Sequence, residues 1–586
     1  MLLDAAKKAG IEIRSICGGK AKCGKCKVKV DKKFINEVTS SEKELLLDED
    51  IKNNFRLACC TKICGDTKVY IPWSALATKQ RLQIAGEETP VELSPVIKKF
   101  ILKLQESTIS DKRSDFEKIR DELLEKFNMV VEKIDLVILE KLPRIITDNR
   151  GRVYVIVRDK EIIFVGSEEE IEKAYGLAID LGTTKIAIYL VDLETGETID
   201  AIGIMNSQII YGEDVISRLK YALENKDGSN RLKEIVLEKI NEEINNICEI
   251  NIINSNQIME AVVVGNTAMQ HLFLNLPIKQ LAVLPFVSAI NDVVEIKARE
   301  LDLAINKSGY VYFPPPIAGF IGSDHLAMLL SSQIFKRKGN VLGIDMGTNT
   351  EIALKTDDTI TCCSTASGPA FEGARIKYGM RASQGAIDGV KIEKDNLNVM
   401  ISTIDNYPPV GICGSGILDC IAEMLKAKII DSTGKIIKGK REVRTGTNGK
   451  LEYVLTKENL AEEDYITITQ KDIREIQLAK GAIRAGIDIL LEDSHLNERD
   501  IDYIIIAGAF GTYLDISNSI EIGMFPNIPI NKFHQIGNAA GIGAKQILIS
   551  KNVREKAKEL LKNIKYVELT IYPDFVKYFT KALKFA

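Results

Sequence analysis

The sequence predicts a multidomain protein of mixed α/β and α+β class, and three observations carry that expectation. The chain has 586 residues, several times the roughly 100–200 of one domain, so more than one core must form. Six of its eleven cysteines fall in the first 64 residues, at 17, 23, 26, 59, 60 and 64, which sets an N-terminal unit apart from the rest. A short apolar run ending in Asp-x-Gly-Thr occurs at Asp180 and again at Asp345, predicting two similar half-domains in the C-terminal part.

Apolar residues make up 45% and charged residues 27%, a globular balance that excludes a disordered or collagenous chain. With 78 Lys+Arg against 82 Asp+Glu the net charge is −4, so no overall field recommends nucleic acid as a partner. No run approaches the roughly 18 apolar residues of a membrane span. Met1 opens into Leu-Leu-Asp-Ala-Ala-Lys-Lys without a leader pattern, and a cytoplasmic location is expected. There, clustered cysteines read as metal ligands rather than disulfides.

Taken in order, residues 1–74 form the first unit, closing in Lys68-Val-Tyr-Ile-Pro72, an alternating strand stopped by proline. Residues 75–95 are polar, contain two prolines and lack periodicity, the marks of an extended linker. Residues 96–173 predict a small α+β domain: a helix over Phe116–Phe127, then strands at Val153–Val157 and Glu161–Val165. From 174 to 586 β-runs alternate with amphipathic helices, as in α/β folds.

Cys17-x5-Cys23-x2-Cys26 sits in the segment Cys-Gly-Gly-Lys-Ala-Lys-Cys-Gly-Lys-Cys, with a fourth thiol at Arg56-Leu-Ala-Cys59. Three close thiolates and one distant one suit a [2Fe-2S] cluster. The glycines let a short loop wrap it and turn N–H groups toward sulfur. Four thiolates with one CxxC also suit zinc, although zinc sites usually pair two such knuckles. The spacing resembles the adrenodoxin-like variant of the ferredoxin domain, a β-grasp fold, which implies Cys17, Cys23, Cys26 and Cys59 as ligands and leaves Cys60 where that family carries glutamine. The family's opening β-hairpin has no counterpart before Leu2.

In Asp180-Leu-Gly-Thr-Thr-Lys185 a β-run ends in a carboxylate and a glycine turn with hydroxyl donors; Asp345-Met-Gly-Thr-Asn-Thr-Glu351 repeats it. Such loops bring N–H and O–H donors to phosphate oxygens while the aspartates hold Mg²⁺ through water. No P-loop or Rossmann fingerprint follows a strand. The paired loops resemble the superfamily of acetate and sugar kinases, heat-shock chaperones and actin (ASKHA), which implies a two-lobed, actin-like ATPase domain clamping ATP. Ile504-Ile-Ile-Ala-Gly-Ala-Phe-Gly511 resembles its adenosine motif. Candidate catalytic residues are Asp180, Asp345 and Glu351, with Asp180 and Asp345 also the Mg²⁺ residues. Candidate nucleotide contacts are Gly182, Thr183, Thr184, Lys185, Gly347, Thr348, Asn349, Gly414, Ser415, Gly508 and Gly511. Cys248, Cys362, Cys363, Cys413 and Cys420 read as small buried thiols, with ligands of a second cluster as the alternative.

The order ferredoxin, linker, small domain, ATPase resembles the reductive activators of corrinoid proteins nearly end to end. Asn206-Ser-Gln-Ile-Ile-Tyr-Gly-Glu-Asp-Val-Ile-Ser-Arg218, Gly368-Pro-Ala-Phe-Glu-Gly-Ala374 and Gly379-Met-Arg-Ala382 carry the resemblance most specifically. It implies an ATP-hydrolysing enzyme that passes one electron from the cluster to the Co(II) corrinoid of a methyltransferase-system protein and restores Co(I). An external low-potential donor and a homodimer come with the resemblance. A small-molecule kinase with a redox-sensing cluster, or an ATP-gated electron-transfer module for another metalloprotein, would use the same parts.

Overall fold

The computed structural model describes residues 1–586 except 10, 12, 14–18, 20, 22, 23, 25, 32, 47, 73, 74, 76–83, 358, 374, 447, 448, 458–464 and 586. Cys17 and Cys23 lie outside the described residues.

The N-terminal unit is a three-stranded antiparallel sheet ordered Phe55–Leu57, Lys27–Val30, Val69–Tyr70, covered by the helix Leu2–Lys8. Leu2, Leu3, Val28, Val30 and Leu57 fill its core, and Ala75 closes it. Glu42 is fully buried and holds the strand leading to Cys59: its carboxylate accepts from Arg56 Nε at 2.8 Å and from the Leu57 amide at 2.9 Å. Burial pushes this carboxyl up, but the Arg56 guanidinium and the amide donors outweigh it and hold it below its ordinary value.

The small domain is a four-stranded sheet ordered Ile97–Lys103, Arg152–Arg158, Glu161–Gly166, Lys133–Ile134. Its helix Asp115–Phe127 starts at a capping box formed by Ser114 and Glu117. Buried charges bind this domain to its neighbour. Glu260 accepts from Arg158 Nε at 2.9 Å and from Arg554 at 2.7 Å, and Lys297 reaches Glu161 at 2.8 Å and Asp135 at 2.9 Å. Removing one partner of such a buried pair typically costs about 3–5 kcal/mol, so the domain is carried rigidly.

The remainder forms two lobes, each on a six-stranded mixed sheet. The first runs Thr198–Met205, Lys185–Asp192, Tyr175–Leu181, Ile258–Gly265, Tyr310–Phe313, Val294–Lys297. The second runs Phe533–Gly537, Ile501–Ala507, Asn340–Met346, Thr350–Thr356, Thr359–Thr365, Ile564–Tyr566. In each, an antiparallel hairpin carries one Asp-x-Gly-Thr turn while a parallel neighbour, Ile258–Gly265 or Ile501–Ala507, backs it. The central strands are buried over most of their length, hence their predominantly apolar runs. The helices Ser323–Ser331 and Ala539–Ile549 cross between the sheets so closely that a Cβ on Gly543 would stand 2.1 Å from the Ala327 carbonyl oxygen.

Part of the stretch expected as an extended linker, 75–95, has defined neighbours in the structure. Ala75 belongs to the N-terminal core, and 76–83 lie outside the described residues. Residues 84–95 are a strap fixed to the two lobes. The Glu87 amide donates to Ile536 O at 2.9 Å, Thr89 Oγ1 to Ser331 O at 2.7 Å and the Ser94 amide to Ile549 O at 3.0 Å, while Glu88 pairs with Lys545 at 2.9 Å. Low periodicity in this stretch reflects extended chain lying on a surface rather than chain in solvent. Among the described residues no helix is long and apolar enough to cross a membrane.

Candidate nucleotide and cluster sites

Both glycine turns open on one cavity of about 280 Å³ between the lobes. Its lining includes Asp180, Gly182, Thr183, Thr184 and Lys185 from the first hairpin, and Asp345, Gly347, Thr348, Asn349 and Glu351 from the second. Gly414, Ser415 and Gly508 join them; Gly511 does not, lying beneath the wall against Ile506 and Met346. The turns meet across the cleft, Thr184 Oγ1 lying 2.9 Å from Thr348 Oγ1. Gly508 turns with φ +90°, where a Cβ would press 2.4 Å from Met346 O; only glycine carries the chain past the second hairpin there. The helix Gly414–Lys426 begins at this wall with no side-chain cap, leaving amide donors of the kind that hold phosphate. Phe510 stacks on Phe371 at 5.0 Å and fixes the wall beside it.

The electrostatics are those of a cation-dependent anion site. Asp180, Asp324, Asp345 and Glu351 all line the cavity. Burial first, then the charge of Asp324, raises Asp180 to about 7. Burial with Asp324 and Asp180 raises Asp345 to about 8, burial raises Asp324 to about 6, and burial with Asp324 and Asp345 pushes Glu351 well up. Four such carboxylates repel one another until a cation arrives. Among the described residues no group of three or more acidic, His or Cys side chains is placed to hold a metal ion. Burial lowers the Lys185 ammonium, while Glu372 opposes the shift.

Several residues of this site lie outside the candidates named from the sequence. The stretch 206–218 wraps behind the first turn: Asn206 Nδ2 donates to Gly182 O at 2.9 Å, the Asn206 amide to Thr184 O at 2.9 Å and buried Arg218 to Thr183 O. With its carbonyls held from behind, the turn presents its donors to the cleft. Asn266 steadies Thr183 Oγ1 at 2.9 Å. Glu372 and Arg381 come from segments 368–374 and 379–382 and also line the cavity. Asp324 enters from the first turn of the helix Ser323–Ser331. Asn538 hydrogen-bonds to Asp180 and donates to Tyr189 Oη at 3.1 Å, and that hydroxyl donates to Ile84 O of the strap at 2.6 Å.

In the N-terminal unit Cys26 and Cys59 are buried with their sulfurs 3.3 Å apart. That is close to the separation of two thiolates on one tetrahedral metal, roughly 3.5–4 Å for bonds near 2.3 Å, so the described pair fits a [2Fe-2S] cluster. Cys60 Sγ is 3.8 Å from Cys59 Sγ, and burial together with Cys59 pushes its thiol up to about 11; Cys64 is exposed. The five later cysteines are buried, and Cys362 and Cys363 enter different cores from opposite faces of one strand.

Family models match four successive stretches of the chain. They are a 2Fe-2S iron-sulfur cluster binding domain over 1–64, the RACo linker region over 86–170, the RACo middle region over 175–337, and the C-terminal domain of RACo, the ASKHA domain, over 339–586. The chain is 32% identical to the corrinoid activation enzyme RamQ of Eubacterium limosum across 98% of its own length and 95% of that protein's. It is 30% identical to the [Co(II) methylated amine-specific corrinoid protein] reductase of Methanosarcina barkeri over 67% of this chain and 73% of that one. A solved structure of a reductive activator for corrinoid, iron-sulfur protein superposes with TM-score 0.76 at 36% identity, covering 100% of this chain and 95% of the other. A chain with these four regions in this order belongs to the RACo family of corrinoid reductive activators, with an ASKHA C-terminal domain.

Proposed function

We propose that this protein returns the Co(II) corrinoid of a partner protein to Co(I), in a reaction driven by ATP bound between the two glycine turns. The observation that carries the reading is the meeting of the turns at Thr184 and Thr348, 2.9 Å apart, in a chain whose N-terminal unit pairs Cys26 with Cys59 at 3.3 Å. Cys17, Cys23, Cys26 and Cys59 would hold a [2Fe-2S] cluster, which would supply a single electron at low potential.

The turns donate to the phosphates of ATP, and the carboxylates of Asp180 and Asp345 face the accompanying Mg²⁺ through water. Inserting phosphates between Thr184 and Thr348 separates two hydroxyls that otherwise bond to each other, so ATP has different affinity for the open and closed lobes, as coupling requires. Shifting a two-state equilibrium from 1:99 to 99:1 takes about 5.5 kcal/mol, and one-electron transfer costs about 59 mV per tenfold. Lobe movement can therefore offset a deficit on the order of 0.2 V. The strap supplies the mechanical link. Asn538 touches Asp180 on one side and, through Tyr189, the carbonyl of Ile84 on the other, so a shift at the nucleotide is felt where the chain leaves for the cluster unit.

Cys26→Ser tests the division of labour. In anaerobic assays with a Co(II) corrinoid protein the variant should lose cobalt reduction while keeping ATP turnover; surviving reduction would remove the cluster from the reaction.

A further inference from the structure

We propose that Glu372 takes the proton from the attacking water when ATP is hydrolysed in this cleft, an assignment that rests on the reading of the cleft as an ATP site. Glu372 ends the short 3-10 helix Pro369–Glu372, held between Gly368 and Gly373, and its neighbour Phe371 is pinned against Phe510. One carboxylate oxygen is committed to the turns: Oε1 accepts from Thr348 Oγ1 at 2.8 Å and from Thr184 Oγ1 at 3.3 Å. It therefore stands where both phosphate-facing loops converge.

The other oxygen, Oε2, is buried and accepts no hydrogen bond. A buried acceptor without a donor is costly, and a water molecule's O–H group at the end of a triphosphate would satisfy it. Two cations line the same cavity. Lys185 lies close enough to respond to the charge of Glu372. Arg381 lines the same cavity, with a buried Nη2 that makes no hydrogen bond and only a loose 3.6 Å ion pair to Glu213. A free carboxylate oxygen in a cavity shared with two cations supplies both needs of phosphoryl transfer to water, an acceptor for the proton and compensation for the phosphoryl charge. Among the described residues, none of Asp180, Asp324, Asp345 and Glu351 hydrogen-bonds to either threonine.

In the step, the water oxygen bonds to the terminal phosphorus as the bond from that phosphorus to the bridging oxygen breaks. The bond's electron pair leaves with ADP, and the water proton passes to Glu372 Oε2 before release to solvent.

The test measures Mg-ATP hydrolysis and binding of a fluorescent ADP analogue in the full-length protein, for wild type and Glu372→Gln. Glutamine keeps an oxygen for the two threonines but cannot take up the proton. Binding within about threefold of wild type, with hydrolysis down tenfold or more and by as much as 10²–10⁴-fold, is expected; a loss below tenfold overturns the assignment. If glutamine also weakens binding beyond threefold, Glu372→Ala with added formate decides. Restored hydrolysis supports the proton role, and no rescue overturns it. A wild-type chain that binds the analogue without hydrolysing ATP overturns the assignment and leaves the nucleotide site standing, whereas one that binds no analogue removes the ATP reading beneath it.

Discussion

Replacing Asp345 with Asn should stabilise the nucleotide-free protein, and do so increasingly as pH rises. The folded chain keeps a proton on Asp345 up to about pH 8, whereas an unfolded aspartate releases it near 3.8. Between these values the folded state binds more protons than the unfolded one, so this carboxyl makes stability fall as pH rises through that window. At 1.36 kcal/mol per pH unit, the penalty grows by about 4 kcal/mol between pH 5 and pH 8.5, part of it shared with Asp180 and Asp324. Unfolding entropy near 2.1 cal/mol/K per residue over roughly 400 residues converts this to about 5 °C in Tm. Differential scanning fluorimetry at the two pH values reads it directly: the advantage of D345N over wild type should be about 5 °C larger at pH 8.5. Saturating Mg-ATP should stabilise wild type and leave D345N unmoved. An advantage that does not change with pH would refute the picture of a buried carboxylate crowded by its neighbours.

Three further outcomes follow from the contacts. Cys59→Ser should abolish the visible absorption of a [2Fe-2S] cluster and the bound iron while Cys60→Ser retains both, because Cys59 faces Cys26 and the Cys60 thiol is held protonated; the reverse pattern would make Cys60 the ligand. Tyr189→Phe strands the Ile84 carbonyl, a loss of about 1–3 kcal/mol, and should speed hydrogen exchange at the Glu87 and Asn538 amides, which bind across the strap. Arg218→Met removes the donor behind Thr183 and should raise the dissociation constant for ADP at least tenfold by titration, with the N-terminal cluster spectrum unchanged.

What was legible in the sequence is what short-range chemistry writes there. A β-run, a carboxylate, a glycine turn and hydroxyls recur at Asp180 and Asp345 because a hairpin that meets phosphate needs them adjacent in the chain. Cys26 and Cys59 were readable as candidates because six cysteines crowd the first 64 residues, and the structure brings these two sulfurs together. Asp324, Glu372, Arg381 and Asn538 reach the same cavity from four separate segments, and no local pattern states which distant turns they will face. Segments 206–218 and 368–374 drew notice only as a resemblance. Their physical work, holding carbonyls behind one turn and bringing a carboxylate to both, depends on pairing across the fold. Gly511 shows the opposite failure: its glycine-rich run is real, but the side facing the cleft is made by Gly508, Ala509 and Phe510. The strap's contacts were not legible either, since extended chain on a surface and extended chain in solvent share a composition.

The most direct test of ATP-driven corrinoid reduction is spectroscopic and anaerobic. Iron-loaded protein, a low-potential reductant and a Co(II) corrinoid protein are mixed, and the cobalt spectrum is followed with and without Mg-ATP. The account predicts Co(I) only when Mg-ATP is present; Co(I) formed equally without it, or ATP consumed with cobalt left as Co(II), would contradict it.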